Sequence, residues 1–241
     1  MTGVAHRAVP VPPVIAEGDV ELLGRMPWSS NATFLTRLSS PACDDQLAIY
    51  KPGRGERELW DFPGGLYRRE VAAYVLSETL GWALVPPTVL RDGPIGEGSF
   101  QGFVEHDPND HYFPMVETGD EDLVSQFRRL CAFDILVNNT DRKSGHCLLD
   151  EKGHVWAIDN GLAFHAEFKL RTVIWDFAGD DLPQSIGEDL SRFLDDPLPD
   201  ALCELLDPFE RDAVQTRARA LRQEGRFPSD PTGRRWPWPL V

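Results

Sequence analysis

Along the first half of the chain, apolar and polar positions change places on a short period. Residues 19–26 (Asp-Val-Glu-Leu-Leu-Gly-Arg-Met), 32–38 (Ala-Thr-Phe-Leu-Thr-Arg-Leu) and 46–51 (Gln-Leu-Ala-Ile-Tyr-Lys) each predict a short strand. The first two are joined across Pro27 to Asn31, a run of turn residues. Gly, Pro and charge dominate 52–65, which predicts a loop. Strong helix formers then fill 66–80, with apolar residues at 71, 74, 75 and 80 and Gly81 where a helix stop belongs. Strands follow at 87–91 and 99–105. The period lengthens after Glu105-His-Asp-Pro-Asn-Asp: 120–138 are apolar at 123, 124, 127, 130, 131, 135 and 136, a helical stripe. Cys147–Leu149 and Val155–Ile158 flank Asp150-Glu-Lys-Gly153 and predict a hairpin. The rest reads as helical. In it Asp207 is the N-cap, Pro208 the first helical residue and Glu210 the third, and Gly225 is the stop.

These elements predict an α+β chain in two lobes, an antiparallel sheet with one helix followed by a mostly helical part. The expected divisions are a flexible segment over 1–17, a first lobe over 18–105, a second over 106–227 and a tail over 228–241. The tail holds four prolines and two tryptophans, so it is either disordered or pinned by Trp236 and Trp238. There is no internal repeat.

Composition narrows the partners. The chain has 241 residues, 41 % hydrophobic and 26 % charged, enough for one domain split into two lobes. Lys and Arg number 24 against 39 Asp and Glu, a net charge of −15. That charge argues against nucleic acid as a partner and against electrostatic docking on anionic membranes. No apolar run approaches the ~20 residues of a membrane span, so integral membrane association is not expected. The first residues lack the apolar stretch of a signal peptide, and a cytoplasmic location is expected. Cys43, Cys131, Cys147 and Cys203 are scattered, which suggests neither a disulfide framework nor a zinc knuckle.

The densest chemistry lies in Asn138-Asn-Thr-Asp141-Arg-Lys-Ser-Gly-His146, after the long helix and before the hairpin. The hairpin runs out into Ile158-Asp159-Asn-Gly161, 18 residues beyond Asp141. Phosphoryl transfer uses such a pair: one Asp positions or deprotonates the attacking hydroxyl, and the other holds a hard divalent cation against nucleotide phosphates. Two Asp residues in ordinary surface turns would look the same. Lys51 tips the balance, because it ends an apolar strand in a chain with only four lysines, and Glu70 lies 19 residues on in the next helix. A strand lysine on the phosphates, paired with a helix glutamate, is the kinase pattern. The Ser29-Ser30-Asn31 turn stands where a phosphate-covering loop belongs, without a glycine-rich motif, and is either that loop or a plain hairpin turn. Arg54, Arg57, Arg68 and Arg69 make either an anion pocket or a solvated face. Arg142 and Lys143 are candidates to hold an anionic acceptor, and His165, Lys169 and Arg171 stand where an activation segment would lie. The seven tryptophans are expected in the core or between lobes.

Lys51-Pro, Arg69-Glu-Val-Ala-Ala-Tyr, Val85-Pro-Pro-Thr, the Asp141-Arg loop and Ala157-Ile-Asp-Asn-Gly-Leu-Ala-Phe164 together resemble the phosphatidylinositol 3-/4-kinase superfamily. They are most similar to its type II 4-kinase branch, and the whole chain resembles a small actinobacterial kinase-like family. The resemblance covers roughly residues 27–190. It implies a compact bilobal protein-kinase-like fold of the atypical kinase class, with ATP and Mg²⁺ or Mn²⁺ between the lobes. It also implies that Lys51 binds phosphates, Asp141 is the catalytic aspartate and Asp159 the metal aspartate. Ser29, Ser30 and Asn31 become similar to that branch's serine-rich phosphate loop, and Phe103, Val104, Glu105 and His106 the hinge beside adenine. His146 departs from the pattern, since it stands where such kinases place a metal-ligating Asn. It is either a ligand that suits Mn²⁺ better than Mg²⁺, a phosphate contact, or a loop histidine. The palmitoylated cysteine cluster of the type II enzymes is absent. The expected activity is ATP-dependent phosphate transfer to the hydroxyl of an unidentified acceptor, a soluble metabolite or a protein Ser/Thr rather than a membrane lipid. The alternatives are a nucleotide-binding pseudokinase with a regulatory or scaffolding role, and AMP transfer by the same fold. The sequence leaves the oligomeric state open.

Overall fold

The structure, a computed structural model, describes residues 11–27, 29 and 31–241. Strands β1 (Asp19–Arg25), β2 (Phe34–Ser40), β3 (Cys43–Pro52), β4 (Thr88–Gly93) and β5 (Gly96–Gly102) form one antiparallel sheet in the order β1-β2-β3-β5-β4. Successive side chains of a strand point to opposite faces, and along β3 this decides what meets the core. Ala48 and Tyr50 are fully buried with Leu38 and Phe100 on one face, while Ile49 and Lys51 take the other and border a cavity. The buried face is closed by helix α1 (Pro13–Glu17) through Val14 and Ile15. The flexible segment expected over 1–17 is therefore corrected at its end, because an apolar sheet face needs a cover. Residues 1–10 lie outside the described residues.

Helix α2 (Leu66–Leu80) begins after Gly65 (φ 84°) and stops at Gly81 (φ 71°), the left-handed conformation glycine adopts at least cost. It is buried almost all round because it lies between the sheet and the helical lobe, touching β4, β5, α5 (Gln184–Asp195) and α6 (Asp200–Leu205). The second lobe is built on α4 (Glu121–Val137), which is N-capped by Asp120 and ends in a left-handed Asn138 (φ 56°). Around it lie α3 (Tyr112–Glu117), the hairpin of β6 (Cys147–Leu149) and β7 (Val155–Ala157), and α7 (Pro208–Glu224). Helix α7 has the expected capping box, in which Asp207 accepts from the Glu210 N–H and Glu210 from the Asp207 N–H. All four cysteines are free thiols.

Two expectations are corrected here. Residues 159–183 are irregular rather than helical, because their backbone bonds to distant loops: the Arg171 N–H reaches the Asn139 carbonyl at 2.8 Å, and the Arg142 N–H reaches the Arg171 carbonyl at 3.1 Å. The tail is pinned, but not by its tryptophans, since Trp236 and Trp238 are exposed and Trp238 is 86 % accessible. Its anchors are buried Pro237 and the Arg235 and Leu240 carbonyls, which accept the N–H groups of Thr172 (3.2 Å) and Ser144 (2.8 Å).

Candidate active site

Four predicted residues from separate elements meet in one cleft. Lys51, at the end of β3, donates from Nζ to Glu70 Oε1 on α2 and to Asp159 Oδ1 at 2.8 Å. Burial works against the ammonium's charge, but the Asp159 and Glu70 carboxylates outweigh it and hold the Lys51 pKa above the usual lysine range. The same Lys51 ammonium holds the Asp159 carboxyl well below the usual carboxylate range, against burial. Glu70 is 2 % exposed, and its second oxygen accepts the Asn160 N–H at 2.9 Å, so it ties the lysine strand to the loop that carries Asp159. Asp159 itself is left-handed (φ 57°), a conformation Asp tolerates better than most residues and one concentrated at functional sites. Gly161 makes the close approach possible: a Cβ there would lie 3.2 Å from Glu70 Oε1 and 3.3 Å from the Leu66 Cβ.

The loop after α4 is shaped by its own polar residues. Asn138 donates to the His165 and Glu167 carbonyls at 2.9 and 2.7 Å, and Asn139 Oδ1 accepts the Asp141 N–H at 2.9 Å. The Asp141 carboxyl is raised by burial and by Asp159, and drawn back down by Lys143, whose Nζ lies 3.2 Å away. Arg142 corrects an expectation, for it holds no acceptor. Fully buried, it donates to both Asp134 oxygens (3.1 and 3.2 Å), to the Ile158 carbonyl (2.7 Å) and to Asn160 Oδ1, linking the Asp141 loop to the Asp159 loop. His146 is pushed down to about 4 by burial, although Asp159 favours its charge, so it is neutral near pH 7. Its Nδ1 accepts the Lys143 N–H at 3.4 Å, which leaves the proton on Nε2, 3.5 Å from Asp159 Oδ2.

Two cavities share Lys51, His146 and Asp159. A polar one of about 320 Å³ is lined also by Ser29, Asn31, Asp141 and Lys143. An apolar one of about 380 Å³ is walled by Ile49, Phe103, Val104, Leu148 and Ile158, with His106 at its edge. Ser29 borders both and its hydroxyl lies 2.7 Å from that of Thr33, while Asn31 Oδ1 accepts the Arg57 N–H at 2.9 Å. Of the expected site residues, Ser30 lies outside the described residues. Glu105 does not line the apolar cavity; it lines a groove of about 790 Å³ that shares Gly102, Phe103, Val104 and His106 with that cavity. Of the four early arginines only Arg57 lines the polar cavity. Arg69 is buried on Glu210, and Arg68 donates to the Glu204 carbonyl at 2.7 Å. Asn160, Asn139 and Asp134 were missed as site-shaping residues, and only the polar run around Asp141 could have flagged Asn139.

The donors present suit a hard cation bound together with phosphate. Asp159 and Asp141 offer carboxylate oxygens to one cavity, and among the described residues no group of three or more His, Cys, Asp and Glu could hold a metal alone. With its proton on Nε2, His146 offers that cavity a donor rather than a lone pair.

The sequence model of the phosphatidylinositol 3- and 4-kinase family matches residues 63–186, just over half of the chain. Protein Rv2133c of Mycobacterium tuberculosis is 37 % identical over 261 residues, which cover 94 % of each chain. Among solved structures, the Golgi casein kinase with Mn and ADP bound superposes with a TM-score of 0.55 at 16 % identity, covering 86 % of this chain and 72 % of that one. A second structure of the Golgi casein kinase gives 0.50 at 16 % identity, covering 86 % and 71 %. At that identity the likeness is one of fold, the atypical kinase fold.

Proposed function

We propose that this chain, which belongs to the phosphatidylinositol 3- and 4-kinase family, is an ATP-dependent phosphotransferase with a hydroxyl acceptor. One observation carries the reading: Lys51, Asp141 and Asp159 converge on a polar cavity that adjoins an apolar one, the shape and chemistry of a triphosphate beside a base. Adenine occupies the apolar cavity against Ile49, Leu148 and Ile158, beside Phe103, Val104 and His106. The phosphates lie near Ser29 and Asn31, where the Lys51 ammonium, kept in place by Glu70, offsets their charge. Asp159 is the protein ligand for Mg²⁺ or Mn²⁺, which supplies further charge neutralisation when bound with nucleotide. His146 steadies Asp159 through Nε2–H rather than binding the cation.

Asp141 orients the acceptor hydroxyl and takes its proton as the oxygen attacks the γ-phosphorus. The new O–P bond forms, the bond from the γ-phosphorus to the β–γ bridging oxygen breaks, and ADP leaves with that electron pair. Lys143 supports the carboxylate form of Asp141. The net charge of −15 supports a soluble metabolite or a protein Ser/Thr as acceptor over a lipid in an anionic bilayer. The test is incubation with γ-labelled ATP, a divalent cation and a cell extract. Label should move to an acceptor with wild type and not with Asp159→Asn, at an unchanged melting temperature. Transfer by Asp159→Asn at near the wild-type rate would refute the metal role, and transfer of α-label instead of γ-label would replace kinase by AMP transfer.

A further inference from the structure

We infer that the acceptor bears an anionic group, a phosphate or a carboxylate, which docks in a second pocket built jointly by residues 167–171 and the C-terminal tail. This pocket, about 500 Å³, lies across the 52–65 loop from the phosphate cavity: Leu59 lines that cavity and its neighbour Trp60 lines this pocket. The acceptor's role rests on the phosphotransferase reading. The anion site stands on its own geometry.

Charge is the first observation. In a chain where acidic residues outnumber basic ones 39 to 24, this pocket gathers Lys169, Arg171, Arg234 and Arg235 against only Asp61 and Glu167. Lys169 is spent on Asp61, whose carbonyl it meets at 2.6 Å, and Arg235 lies over the Phe168 ring at 4.8 Å and 3.9 Å from Asp230. Arg171 and Arg234 have exposed side chains with no hydrogen bond or ion pair among the described residues. Two unspent guanidiniums facing one concavity are a fork for a phosphate or carboxylate. Trp60, 96 % exposed where a core position was expected, adds a flat apolar wall for the rest of a small acceptor.

The pocket is held in shape by hydrogen bonds of the tail and of the 167–171 segment. Asp230 accepts from the Thr232 N–H (3.0 Å), the Thr232 hydroxyl (2.6 Å) and the Arg235 N–H (2.9 Å), which fixes the turn presenting Arg234. The Arg235 carbonyl in turn accepts from the Thr172 N–H and the Trp175 indole, both at 3.2 Å. The Arg171 N–H reaches the Asn139 carbonyl and the Arg171 carbonyl accepts the Arg142 N–H, so the backbone that carries Arg171 is tied to the loop of Asp141 on either side of that residue. Of this lining, residues 167–171 fall inside the family match at 63–186, and Arg234 and Arg235 fall outside it.

Inorganic phosphate is the probe, titrated into the full chain and read by Trp60 fluorescence, with Trp60→Phe as the control. Phosphate is expected to bind wild type and Lys51→Met alike, and at least about tenfold more weakly to Arg171→Glu and Arg234→Glu, both surface changes that leave the melting temperature in place. Loss of binding in Lys51→Met with Arg234→Glu unaffected would put the phosphate in the nucleotide cleft and overturn the inference, as would no binding to wild type. A second arm separates sources of the anion. Co-sedimentation with phosphatidylinositol-containing vesicles that Arg234→Glu abolishes would overturn a soluble acceptor, and absence of co-sedimentation is expected. Phosphate bound through Arg234 while γ-label transfer fails would sink the phosphotransferase reading and leave the anion site standing.

Discussion

Lys51, Asp159 and His146 keep one charge state each across the physiological range. Lys51 titrates above its usual range, Asp159 below its own, and His146 at about 4. The Asp141 carboxyl is raised above its ordinary value by burial and by Asp159 and drawn back by Lys143. A base works only when deprotonated, so kcat/KM should fall as pH drops through the raised Asp141 pKa, at a pH above the ordinary carboxylate range of about 4. In Lys143→Met the cation that lowers this pKa is gone, and the acid limb should move to higher pH. A kcat/KM profile with the limb unmoved in Lys143→Met would assign it to another group. At this scale Lys51, Glu70, Asp141 and Asp159 were legible, because each is a charge at a definite place on a predicted element. Arg142 was not. A sequence shows that a guanidinium exists, not that Asp134, Asn160 and the Ile158 carbonyl consume it. Trp60 failed for the converse reason: its bulk suggests burial, and only the fold shows that nothing covers it.

Helix α2 connects the parts, since Glu70 faces the cleft while Arg69, the residue before it, faces the second lobe. Arg69 pairs with Glu210, at 7 % and 6 % side-chain exposure, and also donates to the Gly64 carbonyl at 2.9 Å. Glu210 therefore does two things, closing the capping box of α7 and neutralising a cation buried on α2. If only the cap mattered, Glu210→Ala would cost about 1 kcal/mol. Leaving a buried guanidinium unpaired costs about 3–5 kcal/mol, and the second effect should win. Urea denaturation of wild type and Glu210→Ala checks this, and a loss near 1 kcal/mol would mean the ion pair contributes nothing beyond the cap. The limits of α2 and α7 were legible because Gly65, Gly81, Asp207, Pro208 and Gly225 mark helix ends by local stereochemistry. The irregular course of 159–183 was not, since its hydrogen-bond partners sit in the 138–142 loop, far off in sequence. Helix α1 was hidden for a similar reason, as five residues make a helix here only because a sheet face needs covering.

In the whole molecule, a five-stranded sheet carries Lys51 and a helical lobe carries both aspartates, so the site exists only when the two are packed together. The α+β order of elements was readable from periodicity, while the closing of the cleft depended on Gly161, Glu70 and Asn160 meeting across the lobes. No helix among the described residues is long and apolar enough to cross a membrane. The strongly acidic surface also repels a polyanionic nucleotide, which makes the local cation Lys51 and a divalent partner all the more necessary. Calorimetric titration of ATP into wild type, Lys51→Met and Asp159→Asn, each with and without Mg²⁺ or Mn²⁺, tests this most directly. Wild type should bind ATP at least about tenfold more tightly with the cation than without, a gain of about 1.4 kcal/mol. Asp159→Asn should lose that gain, Lys51→Met should bind weakly throughout, and the cation alone should give no heat. ATP affinity indifferent to the cation and to both substitutions would remove Lys51 and Asp159 from the nucleotide site.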